Sequence, residues 1–319
     1  MTSSPEATPE TTTSAAVRSG ARAPTRSTVI VGLVLLAAAV VLSVGADTGP
    51  LTVWKAVVLG AVEGITEYLP VSSTGHLLVS QRLMGLGDDA DKVAADTYAI
   101  AIQVGAIVAV VALYRHRILQ LLRGLVGRDE VGRRLLVRLV IAFAPAAAIG
   151  VTLEGPIKDH LFGPWPIVAA WAVGGAFLLW WRPPTGSRTV EELSIRSAAI
   201  IGFAQAVAMW PGVSRSLITL VAALLVGCAL SAAVEFSFLL GLATLTAATF
   251  YDLAKDGDTL LDIYGWRTPA LGAIVAFVTA IAAVRWLVGF LRTRPLTIFG
   301  WYRLAAAAVT AALIVTDVI

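Results

Sequence analysis

The sequence predicts an all-α polytopic membrane protein. Three observations carry that prediction: its composition, the length of its apolar runs, and two places where such runs break on proline. Of 319 residues, 57% are hydrophobic and 14% charged, against roughly 45–50% apolar and 25% charged in soluble domains. About twenty apolar residues in a helix cross the ~30 Å of bilayer hydrocarbon. Runs of that order fall at 28–45, 94–114, 135–153, 165–182, 232–252, 269–289 and 300–318, which makes seven spans with the lipid bilayer as their solvent.

Two further apolar segments, 51–84 and 196–228, are each interrupted at their middle, by Leu69-Pro70-Val71-Ser72-Ser73-Thr74-Gly75 and by Trp210-Pro211-Gly212-Val213-Ser214-Arg215-Ser216. Non-helical backbone at membrane depth survives only when buried in protein or lining a wet cavity, so both segments read as re-entrant helix-loop-helix hairpins. At an offset of 142 residues the hairpins align Gly60 with Gly202, Glu63 with Gln205, Val71 with Val213 and Ser72 with Ser214. Arginines gather at 115–134, 182–196 and 292–294, and acids at 88–91, 154–159 and 252–262. Counting positive charge inside puts the N-terminus in the cytoplasm and the C-terminus outside, with the two hairpins entering from opposite sides. Opposite entry and internal similarity describe an inverted-topology repeat, which places a shared site near the midplane where the tips meet.

The remaining segments frame this domain. Residues 1–27, rich in Ser, Thr, Pro and Ala with Arg18, Arg22 and Arg26, form a basic tail expected to be disordered. Residues 28–46 read as an extra retained span rather than a signal peptide, because the run is long for an h-region and a membrane domain follows it. The membrane-embedded domain is 51–318. A net charge of +3, carried mostly in short loops, leaves no surface suited to nucleic acid. One cysteine, Cys228, excludes an intramolecular disulfide and a cysteine metal cluster, and three histidines argue against an imidazole-rich metal site.

Chemistry concentrates at the two breaks. Glu63 and Glu67 lie four apart, hence on one helix face one turn from each other. An acid inside a membrane segment costs at least ~2.5 kcal/mol on insertion scales, so a pair marks a functional site, with a boundary position or a purely structural pairing to Arg215 as the plain alternative. Ser72, Ser73 and Thr74 open the second half-helix, where hydroxyls and free amides receive an anion; capping alone explains only one of them. His76 follows three residues after Ser73. At the second tip Ser214, Arg215 and Ser216 again start a half-helix, with a guanidinium suited to bidentate phosphate contact. Two acids, a histidine, an arginine and several hydroxyls suit phosphoryl chemistry on an amphiphile.

The stretch GAVEGITEYLPVSSTGHLLV (60–79), with PGVSRS (211–216), closely resembles the undecaprenyl-diphosphate phosphatase family, the BacA-type bacitracin-resistance proteins. The likeness continues in IQVGAIVAVVALY (102–114), EFSFLLGL (235–242) and FGWYRLAAA (299–307) and covers roughly 51–318. What it implies is hydrolysis of undecaprenyl diphosphate to the monophosphate and inorganic phosphate, recycling the lipid carrier of cell-wall precursors in the bacterial plasma membrane, at a site opening outward. The family's acidic motif falls on Glu63 and Glu67, its serine and histidine on Ser72, Ser73 and His76, and its arginine motif on Ser214 and Arg215. It also implies a divalent cation. Glu63 and Glu67 are expected to hold a hard one, Mg²⁺ or Ca²⁺, since no second histidine or thiol favours zinc. Leu217 and Ala243 depart from the family pattern, which usually has Gly and Pro there.

On this reading Arg215 and the tip amides stabilise charge on the transferred group, while Ser72, Thr74, Ser214 and Ser216 bind it. His76, Ser73 and a metal-bound water each remain as the attacking group, with a slight preference for His76. Three rival readings compete with this one. A membrane acid phosphatase of the other superfamily needs a histidine about six residues after the arginine, where Val221 stands. A lipid transporter shares the inverted-repeat architecture. An inactive structural subunit has no use for two intramembrane acids facing an arginine. Glu235 reads as an interfacial cap, most tryptophans as headgroup anchors, and Gly174-Gly175 with the Ala-rich last span as close helix packing or a homodimer contact.

Overall fold

The structure, a computed structural model, describes residues 49–88 and 90–319. The tail at 1–27 and the span at 28–46 lie outside the described residues. Twelve α-helices follow in order: α1 Val53–Thr66, α2 Ser73–Leu83, α3 Lys92–Ala101, α4 Gln103–Leu113, α5 Arg115–Leu125, α6 Glu130–Leu161, α7 Pro164–Trp180, α8 Ile195–Ala206, α9 Arg215–Leu225, α10 Leu230–Tyr264, α11 Arg267–Leu291 and α12 Thr297–Val315. Among the described residues there is no β-strand; the one ladder contact is an isolated bridge between Arg188 and Cys228.

Five helical stretches are long and apolar enough to cross a membrane: Lys92–Leu113, Glu130–Leu153, Leu230–Tyr264, Arg267–Leu291 and Thr297–Val315. They match five expected spans, and α7, at 17 residues, takes the place of the sixth. The protein is a multi-pass, all-α membrane protein. The span at Lys92–Leu113 is divided into α3 and α4 by a single turn residue, Ile102. α10 is longer than the sequence suggested. Its 35 residues rise about 50 Å at 1.5 Å each, more than hydrocarbon needs. The additional turns are polar, yet Leu260 and Tyr264 are buried against Leu51 and Leu86, and Gly265, at φ 67°, stops the helix.

Both expected hairpins are present as helix, break, helix. α2 and α9 begin and end 142 residues apart, as do the starts of α1 and α8. The first hairpin's two ends meet, Leu51 and Leu86 sharing one buried cluster with Leu260 and Tyr264, and Tyr264 donates to Asp91 at 2.7 Å. The second hairpin's ends meet elsewhere: Arg188 N–H bonds Gly227 O at 3.1 Å and Ala229 N–H bonds Arg188 O at 2.9 Å. Beside that pair Arg117 bridges Glu191 at 2.7 Å and Glu235 at 2.5 Å. Each hairpin therefore returns to the end from which it started.

Each hairpin leans on a helix from the other half of the chain: α1 runs along α11 and α8 along α6, while α7 pairs with α12. Small residues permit the approach, as expected where dispersion rather than the hydrophobic effect drives helix association. A Cβ on Gly60 would stand 3.0 Å from Gly272 Cα, and one on Gly202 2.7 Å from Ala142 Cα. Gly175 and Gly300 face one another, each Cβ position 2.9–3.0 Å from the other's carbonyl oxygen. The Gly174-Gly175 pair thus serves packing inside the chain. The departures from the family pattern are absorbed: Leu217 is buried at 1% exposure in the main core, and α10 passes through Ala243 unbroken.

Gly202→Val and Gly175→Val are expected to lower the unfolding midpoint in detergent, each by an equivalent of about 1–3 kcal/mol for overpacking. Gly289→Ala, where a Cβ meets nothing within 4 Å, is expected to leave it unchanged; thermal unfolding of the three variants reads this.

Candidate active site

The two tips have the same local design. Pro70 and Pro211 lie in the breaks that follow α1 and α8, and Ser72 and Ser214 adopt φ 72°, ψ 100° and φ 76°, ψ 108°. Positive φ on a residue with a Cβ costs on the order of 1–3 kcal/mol and persists only where the surroundings impose it. Each serine then caps the helix it precedes: Ser72 Oγ accepts from Gly75 N–H at 3.5 Å and Ser214 Oγ from Leu217 N–H at 3.2 Å. The tips are also stitched together. Gly212 N–H donates to Ser72 Oγ at 3.1 Å, and Ser216 Oγ donates to Leu69 O at 2.8 Å while lying 3.0 Å from Ser214 Oγ.

At this junction Glu67, the residue that caps the end of α1, receives two donors. Arg215 Nη2 donates to its Oε1 at 2.7 Å, and Ser73 Oγ donates to its Oε2. Glu67 is buried and Arg215 partly buried, their side chains 5% and 13% exposed. Arg215 is held further by Ser237 O, 3.4 Å from Nη1, and by the ring of Tyr68, 5.9 Å from Cζ. Gly241 on α10 lies under the guanidinium, where a Cβ would come within 2.7 Å of Nη2. One turn before Glu67, Glu63 is 0% exposed, and neither of its carboxylate oxygens has a hydrogen-bond partner.

Of the residues singled out from sequence, Glu67, Ser73 and Arg215 meet directly, and Ser72, Ser214 and Ser216 join the tips around them. Thr74 is half-buried and bonds none of these groups. His76 turns elsewhere. Its Nδ1 lies 2.7 Å from Ser72 O, and its Nε2 2.7 Å from the hydroxyl of Tyr302. A carbonyl only accepts, so Nδ1 carries the proton, and in the neutral ring Nε2 accepts from Tyr302. The ring also packs between Trp171 and Tyr302, with centroids 4.7 and 5.6 Å away. Glu235 pairs with Arg117, away from the tips.

Several participants escaped the sequence reading: Ser237 and Gly241 on α10, Trp171 on α7, Tyr302 and the buried Arg303 on α12. Ser237 and Gly241 lie in the EFSFLLGL stretch, which carried family likeness without an assigned role. Arg303 offered a plain signal, a cation within the expected 300–318 span, which marks a functional position by the same rule that flagged Glu63 and Glu67.

Known proteins resemble the chain over this whole region. Residues 56–309 match the family described as bacitracin resistance protein BacA. The chain is 44% identical over 262 residues to the undecaprenyl-diphosphatase of Sorangium cellulosum (strain So ce56), covering 80% of this chain and 84% of that one. It is 43% identical over 261 residues to undecaprenyl-diphosphatase 2 of Rhodospirillum rubrum, 81% and 93% of the two chains. With the undecaprenyl-diphosphatase of Dechloromonas aromatica (strain RCB) it shares 40% identity over 268 residues, 82% and 95%. Matched from α1 through most of α12, both hairpin tips included, the chain belongs to the BacA family of bacitracin-resistance proteins.

Proposed function

We propose that the protein hydrolyses undecaprenyl diphosphate to undecaprenyl phosphate and inorganic phosphate at the junction of the two tips. The observation that carries this reading is Glu67 holding a serine hydroxyl and a guanidinium at once, in a chain related to undecaprenyl-diphosphatases. Ser73 is the attacking group. Its proton passes to Glu67 as Oγ bonds the terminal phosphorus, and the bond from that phosphorus to the bridging oxygen breaks, releasing undecaprenyl phosphate. Water then attacks the phosphoserine, Glu67 returns the proton to Ser73 Oγ, and inorganic phosphate leaves as the dihydrogen ion with the water's oxygen and both of its protons. Arg215, set in place by Glu67, Ser237 and Gly241, stabilises charge on the transferred oxygens. Ser72, Thr74, Ser214 and Ser216 line the start of the two half-helices, whose amides favour the same anion. His76 has both nitrogens engaged, which favours Ser73 over it as the attacker.

The cation implied by the family fits the residues present. Among the described residues no cluster of three or more His, Cys, Asp or Glu is placed to hold a metal, so protein ligands alone do not complete a site. Glu63 nevertheless brings two buried carboxylate oxygens without partners, the donors a hard cation takes. Glu63 and Glu67 would hold Mg²⁺ or Ca²⁺, which when bound neutralises charge on the diphosphate.

The inverted repeat, with the N-terminus cytoplasmic, the C-terminus outside and the site open to the outer face of a bacterial plasma membrane, belongs to the same proposal. It is supported by the shared dihedrals of Ser72 and Ser214 and by each hairpin returning to its own end. The arginine-bearing loops are joined by Arg117 and Glu191, and the acidic ones by Tyr264 and Asp91.

Phosphate release from undecaprenyl diphosphate by detergent-purified protein is expected to stop on chelation and return with Mg²⁺ or Ca²⁺. Glu67→Gln and Arg215→Ala, checked for intact folding, are expected to lose about 100-fold or more, the scale of removing one transition-state stabiliser. An inactive, well-folded wild type would sink the proposal and bring lipid transport forward. Rapid quenching with labelled substrate is expected to leave label on His76→Ala but none on Ser73→Ala; the reverse pattern makes His76 the nucleophile.

A further inference from the structure

Behind the two tips, on the side of α7 and α12, sits a cation that the reaction above does not use. Arg303 is 0% exposed. Its Nη1 donates to Pro70 O at 3.3 Å and Val213 O at 3.2 Å, and its Nη2 to Gly212 O at 2.8 Å and Ala170 O at 2.9 Å. Three of these acceptors belong to the tips, one on the first and two on the second. Gly174 makes room for it, since a Cβ there would come within 2.9 Å of Cζ. Trp171 gives the first tip a second hold, its Nε1 donating to Val71 O at 2.9 Å.

A guanidinium bonded to carbonyl dipoles alone is an expensive way to fill a helix interface, because burying a charge without a counter-charge outweighs what apolar packing of the same volume supplies. What it does provide is orientation. No peptide among the described residues is cis, so in each planar unit the N–H of the next residue points opposite to the captured carbonyl. Holding Pro70 O and Val71 O sets the N–H groups of Val71 and Ser72; holding Gly212 O and Val213 O sets those of Val213 and Ser214. Ser72 and Ser214 are the non-glycine residues of the tips held at positive φ, and Ser73 and Arg215 follow them directly. The direction of the chain as it enters both half-helices is therefore fixed from behind by α7 and α12.

We propose that Arg303, seconded by Trp171, is a positioning residue for phosphoryl transfer, clamping both tips by their carbonyls so that Ser73, Arg215 and the tip amides are preorganised before substrate arrives. It acts through the tips, since its hydrogen bonds go to main-chain carbonyls and none to Glu67, Ser73 or Arg215. Preorganisation of this kind is read in turnover more than in substrate affinity, because it supports interactions that strengthen in the transition state. The inference rests on the phosphatase reading.

The test uses the full chain in detergent, comparing wild type with Arg303→Gln, Arg303→Lys and Trp171→Phe by kcat and KM for undecaprenyl diphosphate, with thermal unfolding and size-exclusion profiles alongside. Arg303→Gln is expected to lose ~100-fold in kcat with KM within about threefold, and Arg303→Lys to recover about tenfold of that loss. Trp171→Phe, which removes the indole donor and keeps a ring, is expected to lose about tenfold in kcat per folded molecule, with a lowered unfolding midpoint because Val71 O loses its donor. Wild-type kcat per folded molecule in the variants, or a loss confined to KM or to the folded fraction, overturns the proposal. Should Arg303→Gln fail to fold, the lysine and phenylalanine variants decide by the same criteria. No release from wild type instead defeats the phosphatase reading, and the positioning role falls with it.

Discussion

A helix that stops in the middle of a membrane leaves amides and carbonyls that lipid cannot satisfy, and each costs several kcal/mol if left alone. In the proposed topology this protein stops two helices there, and much of its remaining structure answers the deficit. Gly212 N–H finds Ser72 Oγ, Leu69 O finds the hydroxyl of Ser216, Val71 O finds the indole of Trp171, and Pro70, Gly212 and Val213 converge on Arg303. The tips satisfy one another first and the α7, α12 pair satisfies the rest. Donors that stay uncommitted at the two helix starts are what an anion requires.

Charge follows the same economy. Glu67 and Arg215 bring opposite charges from different tips, and their pairing draws Ser73 into contact with a base. Glu63 is different, a carboxylate sealed among helices with neither oxygen bonded. Under the proposed function, a bound cation takes the place of the donor it lacks.

Most of the site was legible along the chain because its signals are local. Glu63 and Glu67 announce themselves as acids in an apolar stretch, and Pro70 and Pro211 mark the breaks. Spacing puts Ser72, Ser73, Ser214 and Arg215 at helix starts. What periodicity cannot say is which neighbour a side chain faces. His76 shares a helix with Ser73, yet its ring is drawn to Tyr302, 226 residues away. Ser237 and Gly241 became site residues only because α10 passes behind Arg215. Arg303 could have been flagged by its place in an apolar span; its four acceptors could not, since they are carbonyls, which every residue has. The overrun of α10 was hidden because its last turns are polar and are buried by contacts with the start of the domain, at Leu51 and Leu86.

The crossed pairing of α1 with α11 and α8 with α6 also bears on how the protein is made. When α8 leaves the ribosome its partner α6 is already in the membrane, but α1 emerges roughly two hundred residues ahead of α11. Until then the first hairpin, carrying both acids, has no permanent neighbour on that face, and the Pro70 carbonyl at its tip waits still longer for Arg303 on α12. The nascent chain thus holds its reactive half open through nearly the whole of synthesis, and the insertion machinery or the lipid must shelter it until the final helix arrives.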